Sequence, residues 1–299
     1  MKTEPSSLPI NVNSLTPREI VEALDDLGYV ARYSLINSAH HGVPQTRDRV
    51  FLVGLRKELG VDVSFPAATH FHKLSSGYAG TRSVALKLIN MFSGSGYVAP
   101  DTGDPSLPPA VTAREAIGDL PPVTDHLEGK MRRGARRFTN LARYVDGGVG
   151  SLSEYAARMR TWDGFLCIEG VYDHVLRYLP RDAAIFRAMR QGDEYPAAYK
   201  VAEALFEDEA KYRRLERDSE EWSDLRRKMV PPYDPGKFPN RWWKLIADGP
   251  ARTLTAHIGK DTYSHIHYDD AQARVITVRE AARLQSFPDG FVFCGTMNP

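Results

Sequence analysis

Three side chains that could hold a phosphate or a base edge stand at alternate positions before an apolar run. They are Gln45, Arg47 and Arg49, and the apolar residues occupy positions 50–53. Because side chains two residues apart share a face of a strand, this spacing predicts one amide and two guanidinium groups on the same side. Planar guanidinium forks match phosphate oxygens and base edges better than lysine does. An R-x-R pair before a strand more commonly marks a solvated sheet edge, so this stretch alone does not identify a site.

A second polar stretch, residues 274–289, combines helix signals with charged side chains. Thr277 is placed to cap a helix, and Glu280 three residues later completes a capping-box pattern. The helix is expected to be short and to end before the proline of its Phe-Pro pair. Arg279 and Arg283, four residues apart, lie on one helical face, while the alanines and the leucine around them pack.

The densest basic cluster has aromatic residues between its charges. A charge run is usually a solvated face, but little acid flanks this one, so it is also a candidate for following a phosphate backbone. The cluster consists of Lys130, Arg132, Arg133, Arg136, Arg137 and Arg143, with Phe138 and Tyr144 interleaved.

Neither the histidines nor the cysteines predict a metal site or a nucleophile. The two H-x-H pairs, His70/His72 and His265/His267, have no cysteine or carboxylate at ligand spacing to complete a zinc site. Both cysteines have apolar neighbours, so buried, inert thiols are expected.

The composition limits the classes of protein to which the chain can belong. It has 299 residues and a formal net charge of +1, so any surface that attracts nucleic acid must be local. Two cysteines are too few for a disulfide framework and indicate a reducing, cytoplasmic location. No apolar run approaches the roughly 18 residues of a membrane span, and the N-terminus lacks the apolar core of a signal peptide.

The predicted elements follow the order of one edge of an α/β layer. A capped helix over residues 16–28 precedes strands at 29–36 and 49–55, which are too few to bury both faces of a sheet. Residues 66–120 read as loops that end in a short capped helix, and residues 180–229 read as helical. The Gly-rich residues 92–97 imitate a nucleotide loop, but no helix pattern follows them, so a flexible loop is expected.

Together the two polar stretches resemble motifs of the DNA cytosine-5 methyltransferases. Residues 274–289 are similar to the family's R-x-L-T-x-R-E-A-A-R-L-Q-x-F-P-D motif, with Ile276 in place of the leucine, and residues 42–49 are similar to its Q-x-R-x-R motif. Between them the family carries a variable target-recognition region, often with a Thr-Leu pair such as Thr253-Leu254. The motifs fall in the family's order, and the resemblance extends over nearly the whole chain.

This resemblance implies an α/β fold with two parts. One is the last strands of a Rossmann-like methyltransferase domain, and the other is a mixed, loop-rich target-recognition domain. The expected boundaries are 1–65 for the catalytic part, 66–273 for the recognition domain with a helical insertion, and 274–299 for a segment returning to the catalytic domain.

The resemblance also implies double-stranded DNA as a partner and S-adenosyl-L-methionine as methyl donor. Arg47 and Arg49 would hold a flipped cytosine and the adjacent phosphates, and Gln45 would contact the DNA backbone or the gap left in the duplex. The candidates for reading bases in the major groove are Arg252, Thr253, Thr255 and Lys260. The residues of the C-terminal structural motif are Thr277, Arg279, Glu280, Arg283 and Gln285.

Several motifs of the family do not occur in this sequence. Its Gly-rich cofactor loop, Pro-Cys nucleophile and Glu-Asn-Val motif precede the Gln/Arg motif, and its Gly-Asn-x-Val motif would follow Pro299. In the family, a cysteine thiolate adds to C6 of the flipped base and activates C5 towards the methylsulfonium. We therefore expect a C-terminal part or subunit that is inert alone, with the cofactor site mostly elsewhere and a second chain carrying the catalytic motifs. The alternative is a non-enzymatic DNA-binding remnant, which the neighbouring reading frames would distinguish.

Overall fold

The computed structural model describes residues 16–75, 79–80, 82–84, 87, 96–131, 141–144, 152–255 and 262–294. The chain divides into two units: unit 1 is Met1–His41 with Arg47–Pro109, and unit 2 is Gly42–Thr46 with Ala110–Pro299. Each unit combines helices with a two-stranded antiparallel sheet, which confirms the predicted mixed α/β class. No helix of the described residues has the length and apolar character needed to cross a membrane.

Helix α1 (Pro17–Asp26) in unit 1 begins where the sequence predicts. The Thr16 side chain accepts the Glu19 N–H, and the Glu19 carboxylate accepts the Thr16 N–H at 2.6 Å, which confirms the capping box. The chain leaves the helix at Gly28, whose φ of +87° lies in the left-handed region that glycine adopts without strain. Val21 on the buried face of this helix packs against the following strand.

Strands β1 (Tyr29–Asn37) and β2 (Asp48–Arg56) pair antiparallel and slightly exceed their predicted lengths. On the other edge of β1, the Tyr33 N–H donates to Gly96 O at 2.7 Å. Within the described part of the chain, β2 pairs with no further strand. Its Val50 and Phe51 side chains are 47% and 50% exposed, so this edge strand presents apolar surface to solvent.

Residues 66–109 belong to unit 1, which differs from the predicted boundary at residue 66. The N–H groups of Thr69 and His70 both donate to the His40 carbonyl, at 2.9 and 3.1 Å. Arg82 donates to Leu35 O at 2.8 Å and forms a buried ion pair with Asp48. These hydrogen bonds attach a loop-rich segment to the end of the β-pair, and its composition gives no sign of them.

Unit 2 combines several helices with long irregular segments in its described part. The segment predicted as helical between residues 180 and 229 forms three separate helices, and the predicted capped helix near residue 115 is present. The helices are α2 (Ala113–Ile117), α3 (Glu154–Arg160), α4 (Ala183–Ala188), α5 (Tyr195–Tyr212), α6 (Glu220–Met229) and α7 (Val278–Arg283), and the strands are β3 (Ala142–Arg143) and β4 (Gly170–Val171).

The core of unit 2 includes the C-terminal helix α7. Ile276 and Leu284, which flank this helix, are fully buried in one cluster with Ile117 of α2. A neighbouring cluster packs Trp242 against Phe186 of α4, with ring centroids 5.5 Å apart. Residues 274–294 therefore pack within unit 2, because the apolar residues around α7 find their partners in this core. The predicted return of this segment to the catalytic domain stays a prediction.

The exposure of β2 leads to a testable prediction about two residues paired in register, Leu35 and Val50. Leu35 is 7% exposed, so Leu35→Ala is expected to lower the free energy of unfolding by about 2–5 kcal/mol. Val50→Thr is expected to change it by less than about 0.5 kcal/mol and to reduce the binding of a hydrophobic dye. Urea denaturation and dye fluorescence measure the two effects. Equal destabilisation by both changes would show that the Val50 side chain is covered and not exposed to solvent.

Candidate nucleic-acid interface

Helix α7 is fixed at both ends by local hydrogen bonds. The Thr277 hydroxyl accepts the Glu280 N–H at 3.1 Å and the Glu280 carboxylate accepts the Thr277 N–H at 2.7 Å, so this predicted capping box is also confirmed. At the other end, Ser286 has a φ of +61°, and the Phe287 N–H donates to Ala282 O at 3.0 Å. These bonds close the helix in the manner of a Schellman motif.

The capping glutamate also belongs to a buried ion pair. Both Nη atoms of Arg274 lie 2.7 Å from the Glu280 carboxylate oxygens, and each side chain is 1% exposed. Burial alone would raise the pKa of Glu280, but the Arg274 guanidinium outweighs it and holds that pKa well below its usual range. The carboxylate therefore stays charged and anchors the start of α7 to Arg274.

Arg283, at the end of α7, is completely buried between two carboxylates. Its Nη2 lies 2.6 Å from Asp289 Oδ2, and its Nη1 lies 2.9 Å from Asp119 Oδ1. Arg160 of α3 shares Asp119 at 2.7 Å. Burial and the Asp289 carboxylate raise the pKa of Tyr144, so its phenol remains protonated and donates to Asp289.

Arg279 is also completely buried, and its donors are directed at the protein. It pairs with Asp173 at 3.0 Å and donates to the carbonyls of Tyr172 at 2.9 Å and Phe291 at 2.7 Å. Gln285, by contrast, is exposed, and its amide donates to Ala281 O at 3.3 Å. The two arginines of the motif therefore act inside the framework of unit 2, because their guanidinium groups are enclosed by protein acceptors.

The Gly42–Thr46 segment lies in unit 2 because it pairs with Ala251. The Ala251 N–H donates to Pro44 O at 2.9 Å, and the Thr46 N–H donates to Ala251 O at 2.8 Å. Gln45 is 1% exposed, and its Nε2 donates to Leu284 O at 3.4 Å. The predicted exposed face shared with Arg47 and Arg49 is wrong for Gln45, because its side chain is buried against the end of α7.

The other predicted base-reading residues have different surroundings. The Thr253 hydroxyl donates to Thr46 O at 2.8 Å, so it helps to hold the segment before β2. Thr255 is exposed, and Lys260 lies outside the described residues. Arg252 is 43% exposed and lies over the Trp243 ring.

Arg47 and Arg49 belong to unit 1, around the start of β2. Arg49 is exposed, and its Nη1 donates to Asp48 O at 2.6 Å. Arg47 is half-buried, and burial together with the nearby charge of Arg49 lowers the pKa of its guanidinium. The two guanidinium groups are thus near enough for the charge of Arg49 to affect the pKa of Arg47.

Only part of the predicted basic cluster falls within the described residues. Lys130 is exposed beside Glu128, and Arg143 is exposed 3.4 Å from Glu169. Residues 132–137 of the cluster lie outside the described part. Because both residues lie beside an acidic residue, an ordinary solvated surface explains their positions.

The described residues of the Gly-rich candidate do not have the setting of a cofactor loop. The Gly-rich candidate at 92–97 is described only at Gly96 and Tyr97. A Cβ added at Gly96 would lie 3.1 Å from Val21 Cγ1, and the Gly96 carbonyl accepts the Tyr33 N–H of β1. A cofactor loop would instead open a helix. No group of three or more His, Cys, Asp or Glu side chains in the described ranges is arranged to hold a metal ion.

Sequence reasoning missed the acidic partners of the motif arginines. Asp119 follows α2, Asp173 follows β4, and neither stands near an arginine of the motif in sequence. Asp289 does have a local signal, because it ends the Phe-Pro-Asp run of the motif itself. Trp243 and Glu194, the partners of Arg252, carry no sequence signal of their own.

Comparison with known proteins relates the whole chain to one family. The family described as C-5 cytosine-specific DNA methylase matches residues 10–298. M.OihORF3336P of Oceanobacillus iheyensis is 33% identical over 288 residues, which cover 93% of this chain and 58% of that protein. The type II methyltransferases M.Bpa9945I of Bacillus paralicheniformis and M.AgeI of Thalassovita gelatinovora are 30% and 27% identical, over 93% of this chain and 49% and 62% of theirs. The chain thus spans 49–62% of the length of these relatives.

The buried ion pairs predict a large difference between two acid-to-amide changes. Asp289→Asn removes a charge that faces completely buried Arg283, and it is expected to lower the free energy of unfolding by about 3–5 kcal/mol. The control is Glu209→Gln, because Glu209 pairs with Arg213 at an exposed site, and it is expected to cost less than about 0.5 kcal/mol. Urea denaturation at pH 7 measures both. Similar, small losses would mean that Asp289 is not needed to compensate Arg283.

The buried histidines predict a loss of stability in mild acid. Burial lowers the pKa of His265 to about 4 and that of His267 to about 3, whereas both titrate near 6.5 when unfolded. As the pH falls from about 6.5 towards 4, the unfolded chain gains protons that the folded chain does not, so stability declines by up to about 1.4 kcal/mol per pH unit for each histidine. His265→Gln should reduce this slope. Denaturation curves from pH 8 to 5 test it, and an unchanged slope in the variant would contradict it.

Proposed function

Because the chain belongs to the C-5 cytosine-specific DNA methylases, we propose that it supplies DNA recognition to a DNA (cytosine-5-)-methyltransferase. The enzyme would transfer a methyl group from S-adenosyl-L-methionine to C5 of a cytosine flipped out of a specific duplex site. The match of the family over residues 10–298 is the observation that carries this proposal. The type II methyltransferase names of the relatives favour a role in restriction–modification, which would take place in the cytoplasm.

The described residues support different roles for the buried and the exposed arginines. Arg279 and Arg283 are enclosed by protein acceptors and would hold the recognition framework. Arg49 is exposed beside Arg47, and in this proposal the two contact the flipped cytosine and the neighbouring phosphates. Contacts of this kind act only after the base has left the stack, so they contribute to methyl transfer more than to initial binding.

The chemistry of the transfer requires residues that this sequence does not contain. A thiolate must add to the base, and neither cysteine follows a proline as the family's nucleophile does. Cys294 is exposed and Cys167 is half-buried, and burial raises the pKa of the Cys167 thiol, which disfavours the thiolate. We propose that a second chain, or another part of the same enzyme, provides the nucleophile and the cofactor site. The exposed apolar side chains of β2 would be the surface on which its strands pack.

Binding and methyl-transfer assays test this proposal together. The purified chain should bind duplex DNA, with an affinity that falls as salt rises, and should transfer no labelled methyl group by itself. Added to a protein that carries the family's Pro-Cys and cofactor motifs, it should restore transfer. Failure to bind duplex DNA would refute the proposal, and robust transfer by the chain alone would refute the need for a further part. Binding without transfer in any combination would favour the non-enzymatic remnant.

Arg49→Ala gives the most specific version of this test. Loss of a charge-assisted contact costs about 1.5–3 kcal/mol where the contact is made, and the loss should appear mainly in the rate of methyl transfer. The matched control is Arg18→Ala, because Arg18 is an exposed arginine of unit 1 that pairs with Glu22 on its own helix. Equal losses of DNA affinity and of transfer rate would make Arg49 an ordinary backbone contact. A full rate in the variant would remove it from the site.

A further inference from the structure

We propose that Arg252, held in place by Trp243 and Glu194, reads one guanine of the target site through two hydrogen bonds. The inference rests on the proposed function, because it assigns a specific base contact to DNA recognition by this chain. We call these three residues the Arg252 reader.

The Arg252 guanidinium is restrained from two directions. Its central carbon lies 3.6 Å from the centroid of the Trp243 ring, and its Nη2 lies 2.5 Å from Glu194 Oε1. Stacking fixes the plane of the guanidinium, and the carboxylate fixes its rotation within that plane. A flexible surface arginine would lose this freedom on binding, whereas here much of the ordering exists before DNA arrives.

The two residues that restrain Arg252 are themselves joined by the backbone. Glu194 and Trp243 form an antiparallel bridge. Next to this bridge, the Lys244 N–H donates to Asp193 O at 3.1 Å and the Gly192 N–H donates to Lys244 O at 2.9 Å. The stacking ring and the carboxylate therefore keep a fixed separation beneath the arginine.

The backbone of Arg252 is anchored separately. Ala251 before it pairs with the 42–46 segment, and the Thr253 hydroxyl after it donates to Thr46 O. The His265 ring lies 3.2 Å from the Arg252 carbonyl through Nε2, and its Nδ1 lies 2.9 Å from the Ser264 hydroxyl. The neutral imidazole can therefore donate from Nε2 to the carbonyl while Nδ1 accepts from the hydroxyl. Both the backbone and the side chain of Arg252 are thus positioned by unit 2.

The donors left on Arg252 match the major-groove edge of guanine. A guanidinium carries five N–H donors, and among the described residues the Glu194 carboxylate is the acceptor found for this one. Guanine offers two adjacent acceptors, O6 and N7, to such a fork, whereas adenine places a donor beside its N7. Because arginine has no acceptor, it discriminates against adenine at that position. The side chain is 43% exposed, so it is accessible to a base edge.

Selection from a pool of randomised duplexes, followed by affinity measurements on single-pair substitutions, tests the Arg252 reader. The full chain should prefer G·C at one position by roughly 5- to 150-fold over other pairs. Arg252→Ala should abolish that preference while leaving the preferences at other positions. Arg252→Lys should abolish it too and retain affinity for unrelated DNA, because lysine keeps the charge but lacks the fork. Arg213→Ala, which removes an exposed arginine paired with Glu209, is the control and should leave every preference unchanged.

Glu194→Gln tests the positioning role separately. The variant should bind all duplexes more tightly, because a negative charge near the DNA is lost, and should show a weaker preference for the guanine. An unchanged preference would overturn the role of Glu194. The guanine assignment would be overturned if Arg252→Ala kept the G·C preference, or if it lost a preference for A·T at some position instead. The proposed function would stand in either case. A wild-type chain that binds no duplex would refute the proposed function, and this inference with it.

Discussion

Arg283 is completely enclosed by protein, and the fold of unit 2 must compensate its charge. Removing a guanidinium from water is costly unless carboxylates and carbonyls replace its hydration. Asp289, Asp119 and the Ala116 carbonyl do so, and Asp119 is shared with Arg160 of α3. Since no single one of these acceptors can satisfy the charge, α2 and the end of α7 have to pack together, and Arg160 brings α3 to the same carboxylate. The interaction thus selects one arrangement of these elements more than it adds to their stability.

The buried residues around α7 are also connected to Arg252 at the surface of unit 2. Leu284, at the end of the helix, offers its carbonyl to the buried amide of Gln45. The segment that contains Gln45 pairs with Ala251, and the next residue is Arg252. Hydrogen bonds between neighbouring segments, together with the chain itself, therefore connect the completely buried Arg283 with the exposed Arg252. The buried ion pairs and the exposed arginine thus belong to one connected part of unit 2.

The sequence predicts the local features of this structure and misses the distant ones. Capping boxes involve residues three apart, and those at Thr16 and Thr277 are present as predicted, as are the two strands of unit 1. The burial of Arg283 depends on Asp119, which lies 164 residues away, so no pattern within the motif could reveal it. The same limit explains why no local pattern predicts the burial of Gln45. Apolar composition indicates that a segment packs, but it does not identify the unit against which it packs.

Two kinds of arginine with the same chemistry have opposite roles in this chain, and burial separates them. The arginines of α7 belong to the motif by which the family resemblance is identified, yet their donors are taken up by protein acceptors. Arg252 lies outside both motifs, is 43% exposed and is stacked and paired in advance. A motif whose residues build the framework does not reveal which bases the exposed residues of that framework contact. Membership of the family therefore identifies the reaction to be tested, whereas the target sequence has to be sought in exposed residues between the motifs, beginning with Arg252.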